Sequence, residues 1–225
     1  MRFNPLVNLR LKITNTIIAI VLIVMTVGAV QPLLQPSFPR THDGENHLGR
    51  IANYYLAFRE GQFPPRLAPS MMGGYGYPVF NYNYPLVNML GVPFLAIGFD
   101  VELTMKILLS LLTFIGVIGW FGLGKSSGKL AGIILAGLFL SSNFLYNTIF
   151  VRGVVGELAS IALLPHFILS LRYFESYFKN SSRKKSRAVM VASMMYFWIV
   201  TTSFLLAHNL SVVMFFIPMV AYGLT

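Results

Sequence analysis

Cysteine is absent from this 225-residue chain, and carboxylates are few: seven Asp and Glu stand against 17 Lys and Arg. Without thiols there is no disulfide framework, no thiolate metal site and no cysteine nucleophile. Charge of either sign is scarce as well, 11% of residues against about 25% in soluble domains. With 56% hydrophobic residues and a mean hydropathy of +0.68, so thin a charge layer cannot coat a water-soluble surface, which points to a chain embedded in lipid. The apolar runs show no strict apolar/polar alternation, which argues against a transmembrane β-barrel. No P-loop, Gly-x-Ser-x-Gly elbow, His-Glu-x-x-His pair or dinucleotide fingerprint occurs, so nucleotide-driven phosphoryl transfer and serine hydrolysis lose their main support.

What the chain does have is long apolar runs. A bilayer core about 30 Å thick needs about 20 helical residues. Runs at 13–34, 103–123, 130–150, 158–174 and 188–207 are of that kind, and a sixth, 210–224, is still apolar where the sequence stops. These predict an all-α polytopic bundle of about six spans, a single membrane domain over 1–225 that reads as the N-terminal part of a longer protein. Arg2, Arg10 and Lys12 precede the first run, but its apolar core at 13–30 exceeds the 7 to 15 residues typical of a cleaved signal, so it reads as a signal-anchor.

The segment 35–85 is a first outer loop of about 50 residues, far beyond ordinary connections, and such loops are usually functional. Within it, Leu48, Ile51, Tyr55 and Phe58 recur at helical spacing and predict an amphipathic juxtamembrane helix over 44–60, lying on the membrane, stopped by Gly61. Residues 85–99 are apolar but too few for an ordinary span and read as a short juxtamembrane or partly inserted helix. If 85–99 makes no net crossing, the cluster Lys179, Arg183, Lys184, Lys185 and Arg187 falls on the same side as Arg2, Arg10 and Lys12. The positive-inside rule therefore favours a cytoplasmic N-terminus and an extracytoplasmic long loop in a multi-pass cell-membrane protein.

On that topology three polar groups of residues face the outer side. The first opens the loop helix: Asp43, His47 and Arg50 stand at i, i+4 and i+7 and share one face. A carboxylate there suits a general base for an acceptor hydroxyl, and an Arg suits a phosphate. Asp43 is also where an N-cap belongs, and Glu45 complements the helix dipole. His42, Asp43, Glu45 and His47 are ligand types, but their spacing matches no metal motif, and no metal or cofactor is expected. The second group is the Gly- and Tyr-rich segment 73–85 with Arg66, whose Tyr75, Tyr77 and Tyr82 offer faces and hydroxyls to a sugar or lipid phosphate, or simply an interfacial aromatic belt. The third is Arg152 with Glu157, and His208 with Asn209, at the outer ends of successive spans. These are functional candidates by position, or an ion pair and a cap by Asn209. His166 reads as a buried hydrogen-bonded residue. The basic run 179–187 carries no interleaved aromatic residue, so no nucleic-acid partner is expected.

The succession His42-Asp43-Gly44-Glu45-Asn46-His47, Gly61-Gln62-Phe63-Pro64-Pro65-Arg66, Gly74-Tyr75-Gly76-Tyr77-Pro78 and Tyr82-Asn83-Tyr84-Pro85-Leu86 resembles the GT-C superfamily of polytopic glycosyltransferases. Arg152-Gly153 with Glu157, and His208-Asn209, bring it nearer to the membrane proteins labelled 6-pyruvoyl-tetrahydropterin-synthase-related, although nothing here resembles the soluble pterin synthase or its zinc histidines. The resemblance implies that Asp43 is the acidic residue of the first outer loop, acting as base or positioning the acceptor. It implies that Arg66 and the tyrosines lie near donor or acceptor, and that the donor is a sugar on a polyprenyl-phosphate carrier, a membrane lipid. Leu67 departs from the aromatic residue expected after Pro-Arg, and the later spans and loops that complete such a site are missing. The other class to weigh is a non-catalytic polytopic protein: a glycan or lipid binder, an assembly subunit or a transporter. The charge excess is a topology signal in either case. Arg40, Arg50, Arg59, Arg66, Lys106 and Arg152 balance six of the carboxylates on the outer side, and the remaining eleven basic residues face Glu175 alone on the cytoplasmic side.

Overall fold

The computed structural model of the chain describes residues 5–179 and 187–223. The basic residues Arg2 and Arg183, Lys184 and Lys185 lie outside the described residues. Among those described there is no strand, and a single bridge pairs Ala68 with Tyr77 inside the long loop. The helices are α1 (Pro5–Val30), α2 (Gly44–Arg59), α3 (Leu86–Ala96), α4 (Val101–Gly124), α5 (Lys129–Leu140), α6 (Asn143–Tyr146), α7 (Val155–Lys179), α8 (Arg187–Ala207) and α9 (Asn209–Gly223). Four stretches, Lys12–Leu34, Val101–Ser127, Val155–Glu175 and Arg187–Ala207, are long and apolar enough to cross a membrane. This is a multi-pass helical membrane bundle.

The run expected as one span at 130–150 is broken. Helix α5 and the pair made by α6 and the π-helical turn Asn147–Arg152 meet at 45°, a broken span or a re-entrant loop. The break has a local cause: Ser142 is extended and its Oγ accepts the Leu145 N–H at 3.1 Å, which starts a new helix. The run expected as a sixth span forms α9, 15 residues long within the described chain. Helix α3 has 11 residues and so a length of roughly 16 Å, too short to cross. It packs instead between α2 and α4.

Helix α4 is the axis of the bundle, with Met105, Leu108, Leu109, Leu112 and Val117 fully buried. Its glycines set the approach of its neighbours, since without lipid-versus-water driving force helices in a bilayer associate by close packing. A Cβ on Gly119 would meet Pro165 and His166 of α7, and one on Gly124 would meet the α5 backbone at Gly132. His166 ties three helices there. The Ile115 carbonyl can only accept, so His166 Nε2 donates to it (2.8 Å), and Nδ1 accepts from the Tyr196 hydroxyl (2.8 Å). Replacing His166 by Phe is expected to lower unfolding stability in detergent by about 1–2 kcal/mol, and Tyr196→Phe by less, read from denaturant or thermal unfolding.

Helix α2 does not lie on lipid by the face its strongest apolar spacing suggests. The buried residues are Gly44, His47, Ile51, Asn53, Tyr54 and Ala57, a face centred one position round from the expected stripe, with Leu48 and Tyr55 partly buried and Phe58 exposed. Its covering is protein: Ile51 joins the core built by α3, α4 and α7. Gly61 at φ +87° ends this segment as expected.

Candidate functional site

The long loop, the α7 entry and the α8–α9 junction meet at one end of the bundle. Two backbone hydrogen bonds fasten the start of the loop helix to the end of the π-helical turn: His42 N–H to the Val151 carbonyl (3.0 Å) and Asp43 N–H to the Arg152 carbonyl (2.9 Å). Thr41 fills the remaining space so closely that a Cβ on either Gly44 or Gly153 would collide with its side chain, and Gly153 sits in the left-handed region at φ +69°. Asp43 and Arg152 are thereby held side by side in the backbone, although 109 positions apart in sequence.

Asp43 occupies the N-cap position of α2, but its carboxylate makes no capping bond. Thr41 Oγ1 accepts the Gly44 N–H instead (3.0 Å), so the hydroxyl serves the helix start and the acid is left exposed. The Asp43 charge acts on both His47 and Tyr84, which places the carboxylate on the side of these two groups.

His47 is buried, with its Nε2 3.5 Å from the Tyr84 hydroxyl. Burial, reinforced by the Arg50 guanidinium and opposed by Asp43, lowers its pKa to about 4, so the imidazole is neutral at ordinary pH. Tyr84 lies flat on Gly156, where any Cβ would enter the ring. Burial pushes its phenol up to about 12, against the pull of Arg50 and of the Gly156 backbone N–H, so it stays a hydroxyl. His208 packs edge-on to the Tyr84 ring with centroids 5.0 Å apart.

His208, rather than Asn209, caps α9: its Nδ1 takes the Ser211 backbone N–H (3.3 Å) and lies 2.9 Å from the Ser211 hydroxyl. A backbone N–H can only donate, so Nδ1 is the bare nitrogen and the neutral ring carries its proton on Nε2. Burial, the largest influence on His208, lowers its pKa and favours that neutral form. Asn209 reaches across instead, donating from Nδ2 to the Tyr82 carbonyl (3.1 Å) and holding the tyrosine loop against α9.

Between these groups lies a cavity of about 340 Å³ lined by Arg50, Tyr77, Tyr82, Tyr84, His208 and Asn209. Asn83 lines it too, and its buried Oδ1 has no hydrogen-bond partner among the described residues. A buried acceptor left open costs stability unless something donates to it. Arg50 has no ion pair among the described residues, whereas Arg152 is paired with Glu157 at 2.6 Å, the latter side chain only 15% exposed. That pair does not line the cavity, and its two charges act on the His208 pKa in opposite senses, Glu157 raising it and Arg152 lowering it.

The geometry thus brings together Arg50, Tyr77, Tyr82, His208 and Asn209 around one cavity, while Asp43, His47, Arg152 and Glu157 do not line it: His47 lies behind Tyr84, and the other three act on His47, Tyr84 or His208 from nearby. Two of the residues expected near a ligand stand apart. Tyr75 is 95% exposed, and Arg66 is exposed at a loop turn held through its backbone by Gln62 Oε1. Neither lines the cavity. Asn83 and Tyr84 were not singled out by residue type, and the signal for Tyr84 was Gly156, a residue without a Cβ at the entry of an otherwise apolar span. Among the described residues no three of His, Asp and Glu cluster closely enough to hold a metal ion. Comparison with protein-family models, curated proteins and solved structures found no match.

Proposed function

We propose that the chain is the N-terminal half of a GT-C-like glycosyltransferase, moving a sugar from a polyprenyl-phosphate carrier to an acceptor hydroxyl at the outer face of the cell membrane. The observation that carries this is the cavity itself: an unpaired guanidinium, tyrosine faces and the neutral His208 imidazole, with a carboxylate free of capping duty seven residues before Arg50 on the same helix. Orientation rests on charge. Lys12, Lys125, Lys129, Arg172 and Arg187 gather at the opposite end, where Lys129 Nζ also binds Asn15 Oδ1 (3.0 Å) and so joins the start of α1 to the α4–α5 turn.

The chemistry follows from those roles. Asp43 takes the acceptor O–H proton as that oxygen bonds to the sugar's anomeric carbon, and the bond from that carbon to the phosphate oxygen breaks. Polyprenyl phosphate leaves with both electrons of that bond, and Arg50 stabilises its charge with a fixed pair of donors. Asn83 Oδ1 and the His208 Nε2–H offer one acceptor and one donor to sugar hydroxyls. Arg50 is therefore the phosphate partner rather than Arg66, which lies outside the cavity, or Arg152, which is already neutralised by Glu157.

The test is sugar transfer from labelled polyprenyl-phosphate sugars in membranes expressing the protein. Arg50→Ala is expected to raise the donor KM about tenfold or more, the loss of a charge-assisted contact, with Arg66→Ala near wild type. Equal loss in both variants, or transfer no higher than in membranes without the protein, would overturn the assignment.

A further inference from the structure

A larger cavity lies elsewhere. A groove of about 1040 Å³ runs between α1 and α4 and is unconnected with the tyrosine loop. Its length along α4, from Asp100 to Phe114, is roughly 21 Å, enough to receive the tail of a lipid in one leaflet of a hydrocarbon core about 30 Å thick. Its walls are apolar, with Val27, Leu34, Leu103 and Leu111 all substantially exposed in it.

The polar end of the groove is specific. Lys106 Nζ donates to the carbonyls of Gln35 (2.7 Å) and Pro36 (2.8 Å), which leaves one N–H. Glu102 Oε2 accepts the Phe38 N–H (3.2 Å), and Asp100 Oδ1 accepts the Leu103 N–H (2.7 Å). Each carboxylate has a second oxygen with no partner among the described residues. The three side chains together carry one net negative charge, so the site calls for a cation that donates several hydrogen bonds next to an anion that accepts one.

We propose that this groove is a binding site for phosphatidylethanolamine, its tail along the α1–α4 walls, its primary ammonium on Asp100 and Glu102 and its phosphate on Lys106. The trimethylated amine of phosphatidylcholine has no N–H to give. Phosphatidylglycerol brings no cation and meets two carboxylates.

The test is native mass spectrometry of the detergent-purified, delipidated protein titrated with the three phospholipids of identical acyl chains, and with undecaprenyl phosphate as competitor. Phosphatidylethanolamine is expected to bind about tenfold more tightly than the other two, the worth of one charge-assisted hydrogen bond. The double variant Asp100→Asn with Glu102→Gln keeps the cap and the Phe38 bond and is expected to erase that preference without erasing binding. Val27→Trp, which fills the apolar wall, is expected to weaken all three lipids together. Equal binding of the three lipids to the wild-type protein overturns the proposal without reliance on any variant. Preference unchanged in the double variant, or undecaprenyl phosphate displacing phosphatidylethanolamine at equal concentration, overturns it as well.

Discussion

Asp43→Asn is expected to lower sugar transfer by about 10²–10⁴-fold while leaving insertion and stability unchanged, and it is the coupling of these two results that makes the substitution informative. Asn keeps the shape of the side chain and the backbone N–H that bonds the Arg152 carbonyl (2.9 Å), but it cannot take a proton from an acceptor. Asn would keep a capping bond if Asp43 made one, whereas an Ala replacement of a capping Asp43 would cost about 1 kcal/mol of stability and confound the two roles. The structure removes that ambiguity, because Thr41 Oγ1 holds the Gly44 N–H. Stability within about 0.5 kcal/mol of wild type is therefore expected. The control is Thr41→Ala, which is expected to show the reverse: a measurable fall in melting temperature, with whatever transfer survives still dependent on Asp43. Unchanged transfer in Asp43→Asn would remove the proposed base and leave the cavity as a binding site.

The membrane spans could be read from sequence because transfer of an apolar run into lipid is a property of the run itself, independent of its neighbours. The break between α5 and α6 could not, since hydropathy is blind to the backbone: Ser141 and Ser142 are tolerable in an apolar stretch, and only the extended Ser142 with its bond to Leu145 shows that the helix restarts there. The offset of the α2 face has a related cause. Both the 48/51/55/58 stripe and the 47/51/54/57 stripe contain good core residues, and the choice between them was made by tertiary packing, Ile51 against α3 and α4 and Tyr54 edge-on against Phe80, not by local pattern.

The candidate site was legible as residue types and not as an arrangement. Its members come from residues near 47, 80, 155 and 208, and no spacing within any one segment reports that they meet. Tertiary contact decided which cations face the cavity: Arg50 does, Arg152 is consumed by Glu157, and Arg66 stands outside. The cap on α9 went the same way. Asn209 has the better intrinsic preference for such a position, yet the chain uses His208 Nδ1 and sends Asn209 to the Tyr82 carbonyl.

The second large effect is expected in the pH dependence of stability. His47 has a folded pKa lowered to about 4 from the ordinary 6.5, chiefly through burial and then through Arg50. Between those two values the unfolded chain binds a proton that the folded chain refuses, so stability falls as pH drops from about 6.5 to about 4 and levels off below. A separation of this size corresponds to about 3 kcal/mol across the window, and at 4% exposure the ring has little solvent to screen it. His208, also lowered by burial, acts in the same direction, while Asp43 opposes the shift at His47. His47→Gln cannot titrate, so its unfolding free energy in detergent is expected to lose most of the decline between pH 6.5 and 4, whatever its absolute stability. The slope is the diagnostic quantity, since a glutamine beside Tyr84 changes packing at every pH equally. If wild type and His47→Gln declined in parallel, the imidazole would not be buried neutral against Tyr84, and the packing behind the Tyr84 wall of the cavity would have to be rebuilt around a different residue.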